Sequence, residues 1–455
     1  MRGLFTRTSQ NLILLISLLT CSGLKGWGQE AWSLDECIRQ GIERNLGVKN
    51  SRLDSRIARE DQVGAIGNFL PQVSASGDWG KRFGRSIDPE NNLYTSSAFV
   101  ESNLGMNVSL PLFTGFTRIN QLKFARLNRQ ISVQDARIRE NDVAYAVMDA
   151  FYKLSFEQKM AHLATEQRRL SERYLEQMVE FVDLGMRSSS ELQEVKARLQ
   201  SDCYQETVRN NNVVSAHLYL KELLNLKGKD SLQIAYAPDE ATLPPVEIDP
   251  VDEVYEQSEE ALPQFQAMRL RERAARKSVA IAAGKFSPTI SADFSLYSGY
   301  YDTRKNEAGE IIPFGEQLRN NQNKYIGLRF SFPLFTGLSR FTSVRKEQLR
   351  LKKVRNDASQ QELTLYAEIE DACNSLRSAV EEHRHAVEVL AAEQLSLDEN
   401  QQKWEEGLIS VFELMEKRNR FITAKAELVR TRLQFDLKYR TIRFYRDGSF
   451  LPLDK

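Results

Sequence analysis

Four histidines and four cysteines are all that the 455-residue chain offers for metal or nucleophilic chemistry of the usual kind. His383 and His385 are two apart, so on a helix they point to different faces and cannot hold one ion together. His383 also falls on an apolar packing seam described below, where a core role is expected. Cys21, Cys37, Cys203 and Cys373 show no CxxC spacing, which implies neither a zinc motif nor a disulfide framework. Those after Cys21 lie in helical patterns and read as small buried hydrophobes. The acid pairs Glu381-Glu382 and Glu405-Glu406 lie in charge-rich helical stretches and read as solvated faces, not acid–base pairs. No glycine-rich phosphate loop, GxSxG elbow or HExxH helix is present. The expectation is a protein with no catalytic residues, no cofactor and no metal.

Function must then come from the elements themselves. Lys+Arg is 62 and Asp+Glu is 62. A nucleic-acid binder is usually basic, so this balance argues against one. No apolar run reaches the roughly 18 residues of a membrane-spanning helix, which excludes a polytopic helical protein. It does not exclude a β-barrel, whose alternating strands are weak on hydropathy. Only 12 Pro and 23 Gly interrupt the chain, as suits long helices.

Arg2 and Arg7 precede the apolar run from Leu12 to Leu19, and small residues follow at Gly23, Gly26 and Gly28. Residues 1–29 therefore read as a secretory signal peptide cleaved near Gly28 or Gln29. The alternative is lipidation at Cys21, although Thr20 stands before it where such sites prefer Gly, Ala or Ser. Either route takes the chain out of the cytoplasm.

The most informative feature is an internal repeat. Leu110-Pro111-Leu112-Phe113-Thr114-Gly115-Phe116-Thr117-Arg118 recurs as Phe332-Pro333-Leu334-Phe335-Thr336-Gly337-Leu338-Ser339-Arg340. Gly185 matches Gly407 at the same offset, and Leu192 matches Leu414. Gly67 to Pro71 matches Gly284 to Pro288 at a slightly shorter offset, so the length difference falls in a loop between the two prolines of each copy. The repeats span residues 30–250 and 251–455. Each reads helix, strand, loop, strand, long helix, turn, helix.

The strand stretches, about 71–82, 99–110, 288–299 and 324–333, alternate with a period of two. Leu104, Met106, Val108 and Leu110 oppose Asn103, Gly105, Asn107 and Ser109; Ile326, Leu328, Phe330 and Phe332 oppose Tyr325, Gly327, Arg329 and Ser331. Such a sheet has lipid or core on one side and water on the other, and about ten residues suffice for a tilted transmembrane strand. Residues 83–97 and 302–322 read as polar loops.

From Thr117 to Leu184, and from Ser339 to Glu406, there is neither Pro nor Gly. Each stretch gives a helix of about 100 Å if unbroken, too long for an ordinary globule. Leu365, Ile369, Ala372, Leu376, Ala379, His383, Ala386 and Leu390 alternate steps of four and three, which is a coiled-coil seam. Val143, Val147, Ala150 and Leu154 are its first-copy counterpart. Gly185 and Gly407 are placed to end the helices as C-caps, and Ser188–Ser190 and Ser410 to start the next. The helix tips fall at about 184–190 and 406–411. Four strands per chain cannot close a barrel, and eight give one that side chains fill, so three chains are the smallest good assembly around water.

These residues resemble the TolC-type outer-membrane factor family of Gram-negative bacteria. The carriers are Trp32-Ser33-Leu34-Asp35-Glu36-Cys37-Ile38, the repeated Pro-Leu-Phe-Thr-Gly, and the paired tip glycines at constant spacing. The resemblance implies a mainly α fold with a small β part. Long antiparallel coiled-coil helices would form a periplasmic α-barrel, and four strands per chain would enter a homotrimeric twelve-stranded barrel in outer-membrane lipid. It implies a periplasmic adaptor and an inner-membrane pump as partners, in efflux or type I secretion, and no nucleic acid. By position in the family, Glu413 and Glu416 would form the carboxylate constriction at the periplasmic mouth, sharing one helix face; Glu191 and Glu194 are their first-copy equivalents. Leu184, Gly185, Met186, Glu406, Gly407 and Leu408 would dock the adaptor. The family has an aromatic residue where Trp404 stands. Its locking Arg, two residues after the second tip glycine, is replaced here by Ile409. The rival reading is a secreted coiled-coil scaffold without a pore, which accounts for the seam but not for the strands.

Overall fold

The computed structural model describes residues 31–87, 94–95, 98–227, 232–236 and 241–451. The expected signal segment and Cys21 lie outside the described residues. The first half of the chain holds α1 (Leu34–Arg44), α2 (Leu46–Gly67), β1 (Gln72–Arg82), β2 (Ser86–Ile87), β3 (Tyr94–Thr95), β4 (Phe99–Phe113), α3 (Thr117–Asp183) and α4 (Ser189–Leu223). The second holds α5 (Val251–Ala261), α6 (Pro263–Gly284), β5 (Thr289–Tyr301), α7 (Phe314–Asn320), β6 (Asn323–Ser331), α8 (Ser339–Glu405) and α9 (Val411–Asp447). The chain is mostly helical with one small antiparallel sheet of four strands. It divides into two compact units, each drawing on both sequence repeats. One comprises the described parts of Met1–Ile42, Ala144–Pro244 and His383–Leu433; the other comprises those of Glu43–Val143, Pro245–Glu382 and Gln434–Lys455.

The sheet lies in the second of these units, in the order β1-β4-β5-β6, and every pairing is antiparallel. Over the middle of the sheet the register sorts side chains by type. Val73, Val108, Phe294 and Ile326 form one row; Ser74, Asn107, Ser295 and Tyr325 form the next. One face is therefore apolar and the other polar. On the polar face Ser295 Oγ donates to Asn107 Oδ1 at 2.8 Å, and Arg329 Nε lies 3.2 Å from Asp293 Oδ2. The apolar face is not a packed core: Val73, Ile326 and Leu328 are all exposed. β1 and β6 each have a partner on one side only.

Several details depart from the sequence expectation: residues 83–97, expected as polar loop, hold the paired strands β2 and β3, and Cys203, expected as a buried hydrophobe, is half-buried. β4 runs on past Pro111 to Phe113, through a register shift between Pro111 and Phe113. A bulge is where a strand tolerates the missing proline donor. Residues 302–322, expected as polar loop, contain the short helix α7. Gln317, almost fully buried, holds it: its Nε2 donates to the carbonyls of Tyr301 and Ile312, and its Oε1 accepts from Tyr301 N. Phe314 of α7 packs on Trp79 and Tyr300, which stack on each other with ring centroids 5.7 Å apart.

The strand-to-helix turn explains the repeated Thr-Gly motif. Gly115 and Phe116 have φ of +60 and +61°, and Gly337 and Leu338 have +56 and +64°. Two successive left-handed residues swing the chain from strand into helix, with Thr117 N bonding to Thr114 O and Ser339 N to Thr336 O. The long helices α3 and α8 bury the expected seam. Leu365, Ile369, Ala372, Leu376, Ala379, His383 and Ala386 are all buried, as are Val143, Val147, Ala150 and Leu154; Leu390 is half-buried. His383 Nδ1 lies 3.2 Å from Thr431 Oγ1, as a core residue should. α1 buries Leu34, Cys37, Ile38 and Gly41 on one stripe. Burial, with a smaller push from Glu36, raises the Cys37 thiol to about 12, so it stays neutral. In the other unit Leu262, Phe265, Met268, Leu365 and Phe444 cluster, with α6 opened by Pro263 at its first turn.

The two motif glycines differ in surroundings. A Cβ on Gly115 would meet the backbone oxygen of Gly284 at 2.2 Å, whereas one on Gly337 would meet nothing within 4 Å. Gly337→Ala is predicted to cost about 1 kcal/mol from left-handed strain alone. Gly115→Ala should cost clearly more, because backbone must move. Thermal melts followed by helical circular dichroism check this, and equal losses would contradict it.

Candidate functional site at the helix tips

α3 and α8 end in the same way. Gly185 N donates to Val182 O and Met186 N to Phe181 O; Gly407 N donates to Trp404 O and Leu408 N to Lys403 O. This double closure is a Schellman motif, and it needs a left-handed residue after the helix. Gly185 and Gly407 supply it with φ of +70 and +78°. Nothing crowds either glycine, so backbone angle and not space selects it.

Each following helix opens with a capping box. Glu191 N donates to Ser188 Oγ at 3.2 Å, and Ser188 N donates back to Glu191 Oε2 at 3.0 Å. Glu413 N donates to Ser410 Oγ at 3.2 Å, and Ser410 N donates to Glu413 Oε2 at 3.4 Å. The first of each predicted glutamate pair thus has a local task, satisfying orphan amides of the helix start. The second of each pair does not cap. Glu194 and Glu416 both line a groove of about 360 Å³ between the first turns of α4 and α9. Its apolar lining includes Val195, Val411, Phe412 and Met415, and Arg198 and Asn419 also border it. Glu416 Oε1 accepts from Arg420 Nη2 at 2.5 Å.

The tip residues present apolar side chains to solvent. Leu184, Met186, Leu408 and Phe412 are each about two-thirds exposed or more. Beneath them Tyr174, Met178, Val195, Trp404, Val411, Leu414 and Met415 form a buried cluster. Trp404 packs edge-on to Tyr174 at 5.5 Å and tilts against Phe181 at 6.0 Å. Ile409, where the family has its locking Arg, is half-buried against this cluster. The tip cation is instead Arg187, two residues after the first tip glycine. Its Nη2 donates to Trp404 O at 3.0 Å, and its Nη1 lies 3.3 Å from Glu191 Oε1. A cation at a helix C-terminus meets free carbonyls and a favourable dipole. The same repeat offset, applied to the first tip, would have pointed to it.

Sequence reasoning also missed a buried ionic network one layer above. Arg418 and Asp202 are each 2% exposed and lie 3.5 Å apart. Arg418 Nη1 donates to Ser171 Oγ at 2.9 Å and Nη2 to Gln167 O at 2.6 Å. Asp202 accepts from Ser171 Oγ at 2.5 Å and Gln167 Nε2 at 2.9 Å, with Arg198 Nε at 3.2 Å. Burial pushes the Arg418 guanidinium down from its ordinary value; Asp202 pushes it back up, and Arg198 opposes that. Arg418 follows Val411, Leu414 and Met415 at helical spacing, so a charge in an apolar stripe was the available signal. No group of His, Cys, Asp and Glu able to hold a metal occurs among the described residues.

Removing one partner of a buried ion pair typically costs about 3–5 kcal/mol. Asp202→Asn should reach that range, since it leaves both Arg418 and Arg198 uncompensated. Arg418→Met should cost less, because Arg198 still faces Asp202. Unfolding of the two single variants and the double variant tests the order, and a larger loss for Arg418→Met would reverse the assignment.

The sequence model of the outer membrane efflux protein family matches residues 37–226 and again 254–445, once in each repeat. Outer membrane protein TolC of Escherichia coli is 20% identical over 444 residues, covering 94% of this chain and 84% of TolC. The Campylobacter jejuni CmeC outer membrane channel superposes with a TM-score of 0.79 at 14% identity, over 93% of this chain and 87% of CmeC. Vibrio cholerae outer membrane protein VceC gives 0.74 at 13% identity, over 92% and 96%. Proteins of this kind are channels of the outer membrane with a large periplasmic part, and they are not enzymes. The chain belongs to the outer membrane efflux protein family.

Proposed function

We propose that the chain forms a homotrimer whose sheets close into one barrel in the outer membrane. The barrel continues into a helical periplasmic duct and passively conducts material delivered by an inner-membrane pump and a periplasmic adaptor. One observation carries the reading most: a four-stranded sheet with opposite polar and apolar faces, exposed Val73, Ile326 and Leu328 on the apolar one, and two edges unpaired among the described residues. In hydrocarbon an open edge leaves backbone groups without partners, and neighbouring copies are the simplest supply. Three copies give twelve strands, wide enough to keep the polar face wet. The bare apolar tips Leu184, Met186, Leu408 and Phe412 suit an adaptor that covers them.

Glu413 and Glu416 act here as carboxylates at the narrow periplasmic mouth, three copies of each gathered by the trimer. Their mutual repulsion disfavours tight closure, and their charge attracts cations. Because Glu413 also caps a helix, the informative substitution is to glutamine, which keeps the capping bonds and removes the charge.

Protein extracted from outer membranes with detergent and reconstituted in planar bilayers should conduct. A soluble, non-conducting product would instead favour the pore-free scaffold. Glu413→Gln/Glu416→Gln should weaken block by divalent cations from the periplasmic side by about tenfold or more, with trimer and melting point unchanged. Undiminished block would remove these two residues from the mouth. Gly185→Trp should impair drug efflux in cells while the trimer persists, and normal resistance would count against docking at this tip.

A further inference from the structure

The chain is neutral overall, yet its charge is strongly sorted. In the first stretch of α8, from Ser339 to Arg355, seven basic residues accompany a single acid, Glu347. α6 carries five basic residues and one acid, Glu272. α3 has Arg118, Lys123, Arg126 and Arg129 before its first acid, Asp135. All these segments adjoin a strand in sequence.

Lys123, Arg126, Arg273, Arg276 and Lys277 converge on a groove of about 520 Å³ between α3 and α6, which Leu127 and Gln130 also line. The nearby carboxylate is already committed. Glu272 Oε1 accepts from Arg276 Nη2 at 2.9 Å and from Arg355 Nε at 2.8 Å, and these bonds hold it below the usual carboxylate range. Among the described residues, Lys123, Arg126, Arg273 and Lys277 have no carboxylate partner. Four cations around one cleft repel one another unless an anion sits among them.

Position says which anion. Lys123 lies about 9 Å into α3 and Lys277 about 10 Å before the end of α6. These two helix ends meet the sheet at Gly115 and Gly284, whose backbones touch. At that level Leu112, Phe116 and Phe286 are each more than half exposed. Moving from sheet to helices, the surface thus runs apolar strand face, exposed aromatic ring, then cationic cleft. A lipid leaflet presents the matching order of acyl chain, interface and phosphate.

We propose that the α3–α6 groove binds the phosphate of an anionic phospholipid headgroup from the periplasm-facing leaflet. Lys123, Arg126, Arg273 and Lys277 are its ligands. The site anchors the protein at fixed depth. It rests on the outer-membrane location and not on the duct reading, so conductance does not decide it.

The test uses the full-length protein in neutral detergent, with phosphatidylglycerol or phosphatidylcholine added and retained lipid counted by native mass spectrometry. The parent should retain phosphatidylglycerol preferentially. Lys123→Gln/Arg126→Gln/Arg273→Gln/Lys277→Gln should reduce that retention roughly tenfold or more while its oligomeric state and melting point match the parent. Arg345→Gln/Lys346→Gln/Lys352→Gln/Lys353→Gln on α8 removes equal charge away from the groove and should keep it. Equal retention by parent and groove variant, or equal loss from the α8 variant, overturns the site. Full displacement of the lipid by millimolar inorganic phosphate overturns the lipid assignment in favour of a free anion. If the groove variant does not fold, the parent alone decides: equal retention of the two lipids refutes the proposal, and preference that survives high phosphate supports it.

Discussion

A strand edge inside a membrane must be hydrogen-bonded to another strand, because hydrocarbon offers its amides and carbonyls nothing. This chain leaves two such edges, on β1 and β6, and pairs every other strand within itself. The side-chain pattern meets the same constraint from the other direction. Over the middle of the sheet the rows sort by type, with Val73, Val108, Phe294 and Ile326 in one and Ser74, Asn107, Ser295 and Tyr325 in the next, so the two faces differ in polarity. Much of what is unusual in the monomer follows: exposed Val73, Ile326 and Leu328 on one face and a hydrogen-bonded polar network on the other.

The helices answer a different problem, that of burying an apolar stripe along a long element. The seam is rich in alanine, which lets backbones approach closely, and it is interrupted by His383 only where Thr431 receives the ring. At the ends the repeats interlock. Arg187 of the first repeat holds the carbonyl of Trp404 in the second, and Asp202 of the first is buried against Arg418 of the second. These bonds explain why the unit that contains the tips draws on both repeats. Buried ion pairs are weak stabilisers when compared with apolar packing, but they penalise misregister strongly. That property suits a place where two similar helical hairpins could otherwise slide.

Gly185 and Gly407 recur at the two tips because a left-handed cap admits few alternatives. The cation at the tips is not repeated: Arg187 stands two residues after the first tip glycine, and Ile409 at the corresponding point of the second repeat. A role defined by charge near a helix C-terminus can be met from either hairpin, whereas a role defined by backbone angle cannot move.

The repeat, the four strands with their two faces, the seam from Leu365 to Ala386 and the tip glycines were legible in sequence, because each is a local rule of period or backbone angle that residue order records directly. The extension of β4 through a bulge at Pro111 was not, since a bulge depends on the strand opposite. Nor was α7, which exists because one buried Gln317 satisfies distant backbone groups. The capping duty of Glu191 and Glu413 could be read from Ser-x-x-Glu, but the separate exposure of Glu194 and Glu416 in one groove could not. Arg187 on Trp404, Arg418 on Asp202 and the gathering of Lys123, Arg126, Arg273 and Lys277 were decided by tertiary structure alone. Each joins residues on different helices, and the periodicity of one helix carries no information about which face of another it will meet.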